Sequence, residues 1–133
     1  MMLHHAAVPT RDLERARSFY RDVFGLKEIG RPPFKTQGAW FAIGNSHLHV
    51  VLMPEQGTFR KSPSINTGDT HFAVSVEDFE VEVKRLAELG YRKDRPDGDP
   101  LRLFAIRGGP AGFPQAYLLD PDWNIVEINT AHK

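Results

Sequence analysis

The chain has 133 residues, 17 basic and 17 acidic side chains, a pI near 7.0 and no cysteine. That length suits one domain with a workable core, and the balanced charge excludes a broad basic surface for nucleic acid or anionic membrane. Without cysteine there is no disulfide framework, thiolate metal site or cysteine nucleophile; no apolar run approaches the roughly 18 residues of a membrane span and the first residues lack a secretory pattern, so a soluble, cytoplasmic protein is expected.

In chain order, residues 3–8 are short and apolar and meet Pro9, which predicts a strand ending at a turn. Asp12 then opens a helix. Leu13, Ala16, Phe19, Tyr20, Val23 and Phe24 recur at helical spacing, and Gly25 stands where a left-handed terminal residue is wanted. Residues 38–43 and 47–53 read as strands around a Gly44-Asn45-Ser46 turn, and Pro54 closes the half. Residues 55–69 are rich in Gly, Pro, Ser, Thr and Asn and read as a linker. The expected organisation is a single domain over 1–133, with module one at 1–55, linker at 56–68 and module two at 69–133. In module two, residues 71–76 predict a strand, Asp78 opens a helix with Phe79, Val83, Leu86 and Leu89 on one face, and Gly90 ends it. Residues 101–106, 115–119 and 124–129 supply further strands, and 108–114, with three glycines and two prolines, cannot hold regular structure.

The halves replay one pattern. His5 precedes Asp12 by seven positions, and His71 precedes Asp78 by the same interval. Each half closes on a β-prone run with a possible metal ligand inside it: His49 in Leu48-His49-Val50-Val51, and Glu127 in Ile125-Val126-Glu127-Ile128. Alternate side chains of a strand point to opposite faces. Phe72, Val74 and Val76 form the apolar set that belongs under a helix, which leaves His71, Ala73 and Ser75 on the other face. By the same parity His5 and Ala7 oppose Ala6 and Val8, His49 opposes Leu48 and Val50, and Glu127 opposes Val126 and Ile128. All four candidates therefore share the faces that helices do not claim, beside small residues that leave room for a ligand. His47 has the parity of His49, and a two-residue shift in register would exchange them.

These residues carry a resemblance. The runs His5-Ala-Ala-Val-Pro-Thr-Arg-Asp12-Leu-Glu-Arg-Ala, Phe19-Tyr20-Arg-Asp-Val-Phe-Gly25-Leu, His71-Phe-Ala-Val-Ser-Val-Glu-Asp78-Phe and Tyr117-Leu-Leu-Asp120-Pro121-Asp122-Trp-Asn124-Ile-Val-Glu127 resemble the vicinal oxygen chelate superfamily over nearly the whole chain. That superfamily includes glyoxalase I, extradiol dioxygenases, fosfomycin-resistance enzymes, methylmalonyl-CoA epimerase and bleomycin-resistance proteins. The resemblance implies an α+β fold of paired βαβββ modules forming a cupped mixed sheet with helices on the outer face. It places metal ligands at His5, His49, His71 and Glu127, and catalytic roles at Glu127 and Tyr117. It implies a divalent cofactor (Zn, Ni, Co, Mn or Fe), a small-molecule substrate and a homodimer, with the cup completed by a partner subunit in some members.

Neutral imidazoles and one carboxylate suit a borderline divalent ion whose open positions take two adjacent substrate oxygens. Such a site stabilises an enediolate or oxyanion, so lyase or isomerase chemistry is the expected activity. Two other readings stand beside it: an extradiol-type ring-cleaving dioxygenase, and a metal-free, ligand-sequestering protein like the bleomycin-resistance members. Glyoxalase I carries an acid at the position of His49. Extradiol enzymes place a further histidine upstream of the Tyr117 segment, and residues 108–116 contain none. Trp123 replaces the family's usual glycine in Asp-Pro-Asp-Gly-Asn and is expected to line the edge of the site. His4, His47 and His132 read as structural histidines, Asp12 and Asp78 as helix starts, and Arg31, Arg102 and Arg107 either as anion contacts or as solvated surface.

Overall fold

Asp12 and Asp78, the aspartates of the repeated pattern, each cap a helix. In the computed structural model, which describes residues 1–131, Asp12 Oδ1 accepts from the amide of Arg15 at 3.1 Å, and Asp78 Oδ1 accepts from those of Glu80 and Val81 at 3.0 and 3.1 Å. These bonds satisfy amides that the first helical turn leaves without partners. His132 lies outside the described residues. The chain divides into two compact units, Met1–Arg60 and the part from Lys61 onward, and the division falls inside the stretch read as a linker. No helix among the described residues is long and apolar enough to cross a membrane.

The first unit runs β1 (His5–Thr10), α1 (Leu13–Ser18), a π-helical turn (Phe19–Val23), β2 (Lys27–Ile29), β3 (Gly38–Ile43) and β4 (Ser46–Leu52). The second runs β5 (His71–Ser75), α2 (Phe79–Glu88), β6 (Phe104–Ile106), β7 (Gln115–Leu119) and β8 (Ile125–Asn129). Each unit forms one four-stranded sheet, in the orders β1-β4-β3-β2 and β5-β8-β7-β6, with the first and last strands of the unit parallel and the other pairs antiparallel. This is βαβββ twice, the α+β fold expected.

The cores follow the parity argument on β1 and β5, whereas β7 and β8 bury both faces, Tyr117, Leu119 and Ile125 packing with Ile65, Phe104 and Ile106 on the face of Glu127. Tyr20, Phe41, Leu48 and Val50 are fully buried in the first unit, and Leu86, Leu118, Val126 and Ile128 in the second. By contrast His5, Ala7, His71, Ala73 and Ser75 stay exposed on the alternate positions of β1 and β5. At roughly 25 cal/mol per Å² of apolar surface removed from water, these side chains dominate the stability of each sheet.

Several local details differ from expectation. β1 continues through Pro9 to Thr10, because at the outer position of its sheet the missing N–H removes no ladder bond. The first helix is α-helical only to Ser18 and then widens, with the Phe24 amide reaching the Phe19 carbonyl at 3.2 Å. That wider turn buries consecutive aromatics, Phe19 and Tyr20. β2 was not read as a strand, since Lys27-Glu28-Ile29 is too short and charged to show alternation. The strand expected over 101–106 shortens to Phe104–Ile106, because Asp99 Oδ1 accepts from the Leu101 amide at 2.8 Å and holds a turn there. Leu89 stays 46% exposed instead of joining the buried face of α2.

Trp123 is the one non-glycine residue among those described with positive φ, at +68°, in the β7–β8 turn. A left-handed conformation costs an L side chain about 1–2 kcal/mol, partly offset in a glycine variant by the freedom glycine gains when unfolded. Trp123→Gly is therefore expected to stabilise the chain by about 1 kcal/mol and raise the thermal midpoint by roughly 3–5 °C. A fall in the midpoint would show that the indole's contacts outweigh the backbone strain.

Candidate functional site

Register sets the first pair of candidates. β1 aligns Ala7 with His49, and β3 aligns Trp40 with His49, so side chains from three adjacent strands meet on one face. The His49 imidazole is stacked between two rings, His5 at 4.0 Å and 15° and Trp40 at 3.9 Å and 2°. His49 is buried, and its Nε2 has no hydrogen-bond partner. Burial first, then the neighbouring His5, His47, His4 and Arg31, push its pKa down to about 4. The ring is thus neutral at ordinary pH, with a ligand lone pair available.

The cavity beside this stack has a volume of about 460 Å³, and its walls include His5, Ala7, Arg31, Phe34, Trp40 and His49. His49 lines this cavity and His47 does not, although His47 Nδ1 is also buried without a hydrogen-bond partner. His4, read as a structural histidine, also borders the cavity, with its Nδ1 2.8 Å from Nδ1 of His5.

The second pair lies on β5 and β8. His71 Nδ1 lies 2.7 Å from the Asp69 carbonyl oxygen, and His71 Nε2 lies 3.1 Å from Glu127 Oε2. A carbonyl only accepts, so Nδ1 carries the proton and donates it there. In the neutral ring Nε2 is then a bare lone pair facing a carboxylate oxygen. With a proton on Nε2 the contact is an ion pair with Glu127, and without one the two lone pairs can share a cation. Donation of the other ring N–H to a backbone carbonyl is also the usual support of a metal-bound histidine.

Glu127 is 5% exposed, and its Oε1 accepts from Gln115 Nε2 at 3.0 Å and Asn129 Nδ2 at 2.9 Å. Burial raises its pKa, but hydrogen bonds from Asn129, Gln115, His71 and Tyr117 together outweigh burial and leave it below the usual value. It is a carboxylate at neutral pH. Tyr117, opposite Glu127 on β7, is shifted the other way by burial and then by the Glu127 charge, so its hydroxyl keeps its proton. That hydroxyl also accepts from Gln115 Nε2 at 2.9 Å. Gln115 and Asn129 were not singled out in the sequence, although their parity with Tyr117 and Glu127 was a usable signal.

The structure therefore groups the four expected ligands as His5 with His49 in one unit and His71 with Glu127 in the other. Among the described residues, no three or more of the types His, Asp and Glu gather as one ligand cluster. The donor types fit a divalent ion in both pairs: a neutral buried imidazole with an unpartnered nitrogen, and a carboxylate facing an imidazole nitrogen.

Comparison with known proteins gives one concordant result. The sequence profile of the family described as Glyoxalase/Bleomycin resistance protein/Dioxygenase superfamily matches residues 2–128. A lactoylglutathione lyase of Arabidopsis thaliana is 28% identical over 127 residues, covering 93% of this chain and 42% of that protein. The mitochondrial methylmalonyl-CoA epimerase of Bos taurus is 31% identical over 99 residues, covering 68% of this chain and 55% of that protein. The chain thus spans about half or less of the length of these relatives. A crystal structure of a Bacillus anthracis protein assigned to the glyoxalase family superposes with a TM-score of 0.75 at 24% identity, covering 97% of this chain and 93% of that one.

Proposed function

The chain belongs to the Glyoxalase/Bleomycin resistance protein/Dioxygenase superfamily, and from that premise we propose that it is a divalent-metal-dependent lyase or isomerase. His5 with His49 in the first unit, and His71 with Glu127 in the second, are the proposed ligand pairs. When bound, the metal supplies Lewis-acid polarisation of a carbonyl and open positions for two adjacent substrate oxygens. The single observation that carries this reading is the pairing of His71 Nε2 with Glu127 Oε2 at 3.1 Å, with His71 Nδ1 anchored on the Asp69 carbonyl and Glu127 Oε1 held by Gln115 and Asn129.

The remaining groups have definite tasks. Glu127 Oε1 is occupied by the amides of Gln115 and Asn129, so Oε2 is the oxygen open to a ligand or a proton. In the proposed reaction a substrate C–H bond beside a carbonyl breaks, the proton passes to Glu127 Oε2, which serves as base in place of ligand during that step, and the electron pair moves toward the carbonyl oxygen. The Tyr117 hydroxyl, which keeps its proton, donates a hydrogen bond to the developing negative charge. Return of the proton to carbon completes an isomerisation. The names of the Arabidopsis and bovine relatives contain 2-substituted acyl thioesters, and a small 2-substituted carbonyl compound of that kind is the proposed substrate class.

Hydrogen exchange tests the proposal. Protein loaded in turn with zinc, nickel, cobalt or manganese is incubated in D₂O with lactoylglutathione or methylmalonyl-CoA, and the C2 proton signal is followed by NMR. Loss of that signal, abolished by chelator, is the expected result. No exchange with any metal, or oxygen uptake with catechol in its place, would contradict it.

A further inference from the structure

Arg31 is held in place within the first unit by groups that carry no negative charge. Its Nη1 donates to the Thr36 carbonyl at 2.7 Å and its Nη2 to Thr36 Oγ1 at 3.1 Å, and the guanidinium lies 4.9 Å from the centre of the Phe34 ring. The side chain rests on the bare backbone of Gly38, where an added Cβ would lie 2.9 Å from Arg31 Nε. That Nε is buried and has no hydrogen-bond partner. Among the described residues no acidic side chain forms an ion pair with Arg31, whereas Arg17, Arg21, Arg85 and Arg107 each have one. A fixed guanidinium on a cavity wall, with donors to spare, is a strong carboxylate receptor because its planar fork matches two oxygens.

The rest of the wall indicates what accompanies the charge. Ala7, Val51 and the rings of Phe34 and Trp40 are apolar, and Phe34 is 55% exposed at the rim. No carboxylate lines this cavity. The geometry points to a carboxylate-binding subsite at Arg31, which takes the anionic end of a small substrate whose apolar body lies against Phe34 and Trp40. The subsite deepens the proposed function and rests on it in one respect: the substrate's oxygens are taken to face His5 and His49 on the same wall. Substrates would then carry a carboxylate at the end that meets Arg31, and neutral analogues would bind less tightly.

The experiment uses tryptophan fluorescence. The chain has two tryptophans, so a Trp123→Gly background leaves Trp40 as the reporter inside the cavity. Benzoate and its neutral isostere benzamide are titrated into this protein, then into Arg31→Gln and Arg31→Lys versions, with thermal melts confirming folding. Benzoate is expected to bind at least about tenfold more tightly than benzamide, to lose about tenfold in Arg31→Gln, and to recover part of that loss in Arg31→Lys. Benzamide affinity should not depend on the substitution. Equal binding of the two probes, an undiminished benzoate affinity in Arg31→Gln, or no benzoate binding at all would each overturn the subsite. Metal content of the Arg31→Gln protein is read in parallel and is expected to match the parent. Arg31-dependent benzoate binding in a protein that holds no metal would refute the proposed enzyme while sustaining the subsite, and the reverse pattern would refute only the subsite.

Discussion

Glu127→Gln is expected to lower turnover roughly 10³-fold and to abolish metal retention, while the chelator-treated protein becomes no less stable. The substitution keeps the shape of the side chain, and its remaining oxygen can still accept from Gln115 and Asn129. What changes is the group facing His71. In the native chain His71 Nε2 lies 3.1 Å from the carboxylate Oε2. Where that nitrogen carries no proton, the glutamine amide donates to it, a hydrogen bond worth about 1 kcal/mol in the metal-free state. Function falls while stability holds or rises, the pattern of a site strained for its ligand. Metal analysis, progress curves and melts of the same preparation check it. A lower thermal midpoint together with retained metal would mean that His71 and Glu127 form a plain ion pair.

Asp120→Ala is expected to cost about 3 kcal/mol, or roughly 10 °C in thermal midpoint. Asp120 is 4% exposed and its carboxylate braces the β7–β8 turn: Oδ1 accepts from the amides of Asp122 at 2.9 Å and Asn124 at 2.8 Å, and Oδ2 accepts from Asn124 Nδ2 at 2.8 Å. Removing the carboxylate leaves these three donors without that acceptor in a turn already carrying Trp123 at φ +68°. The turn sets the register between Tyr117 on β7 and Glu127 on β8, so metal affinity should fall along with stability. Asp120→Asn keeps one acceptor oxygen and should lose about half as much. Urea unfolding of the three proteins gives the comparison, and a cost below about 1 kcal/mol for Asp120→Ala would contradict this account of the turn.

Features that depend on local chemistry were legible in the sequence. Asp12 and Asp78 cap helices because a short carboxylate can reach the free amides of a first turn, and Gly25 and Gly90 adopt positive φ where those helical segments end. Strand parity placed His5, His49, His71 and Glu127 away from the apolar sets, because alternation needs only the chain itself. Features that depend on pairing were hidden. Nothing in Lys27-Glu28-Ile29 announces a strand until β3 lies beside it. The sandwich of His49 between His5 and Trp40 exists only in the register that aligns Ala7, His49 and Trp40. That same register distinguishes His49 from His47. Gln115 and Asn129 escaped notice because amides carry no charge or ligand signature, yet they hold Glu127 in its anionic form.

The most direct test of the central claim is metal content by plasma mass spectrometry, on protein purified without a histidine tag or chelator, beside a His5→Ala/Glu127→Ala double variant. The proposal predicts about one equivalent of divalent metal per chain in the parent and almost none in the variant. A parent that carries no metal and takes up none on titration would contradict it, and would leave the cavity beside Trp40 as the binding site of a protein that only sequesters its ligand.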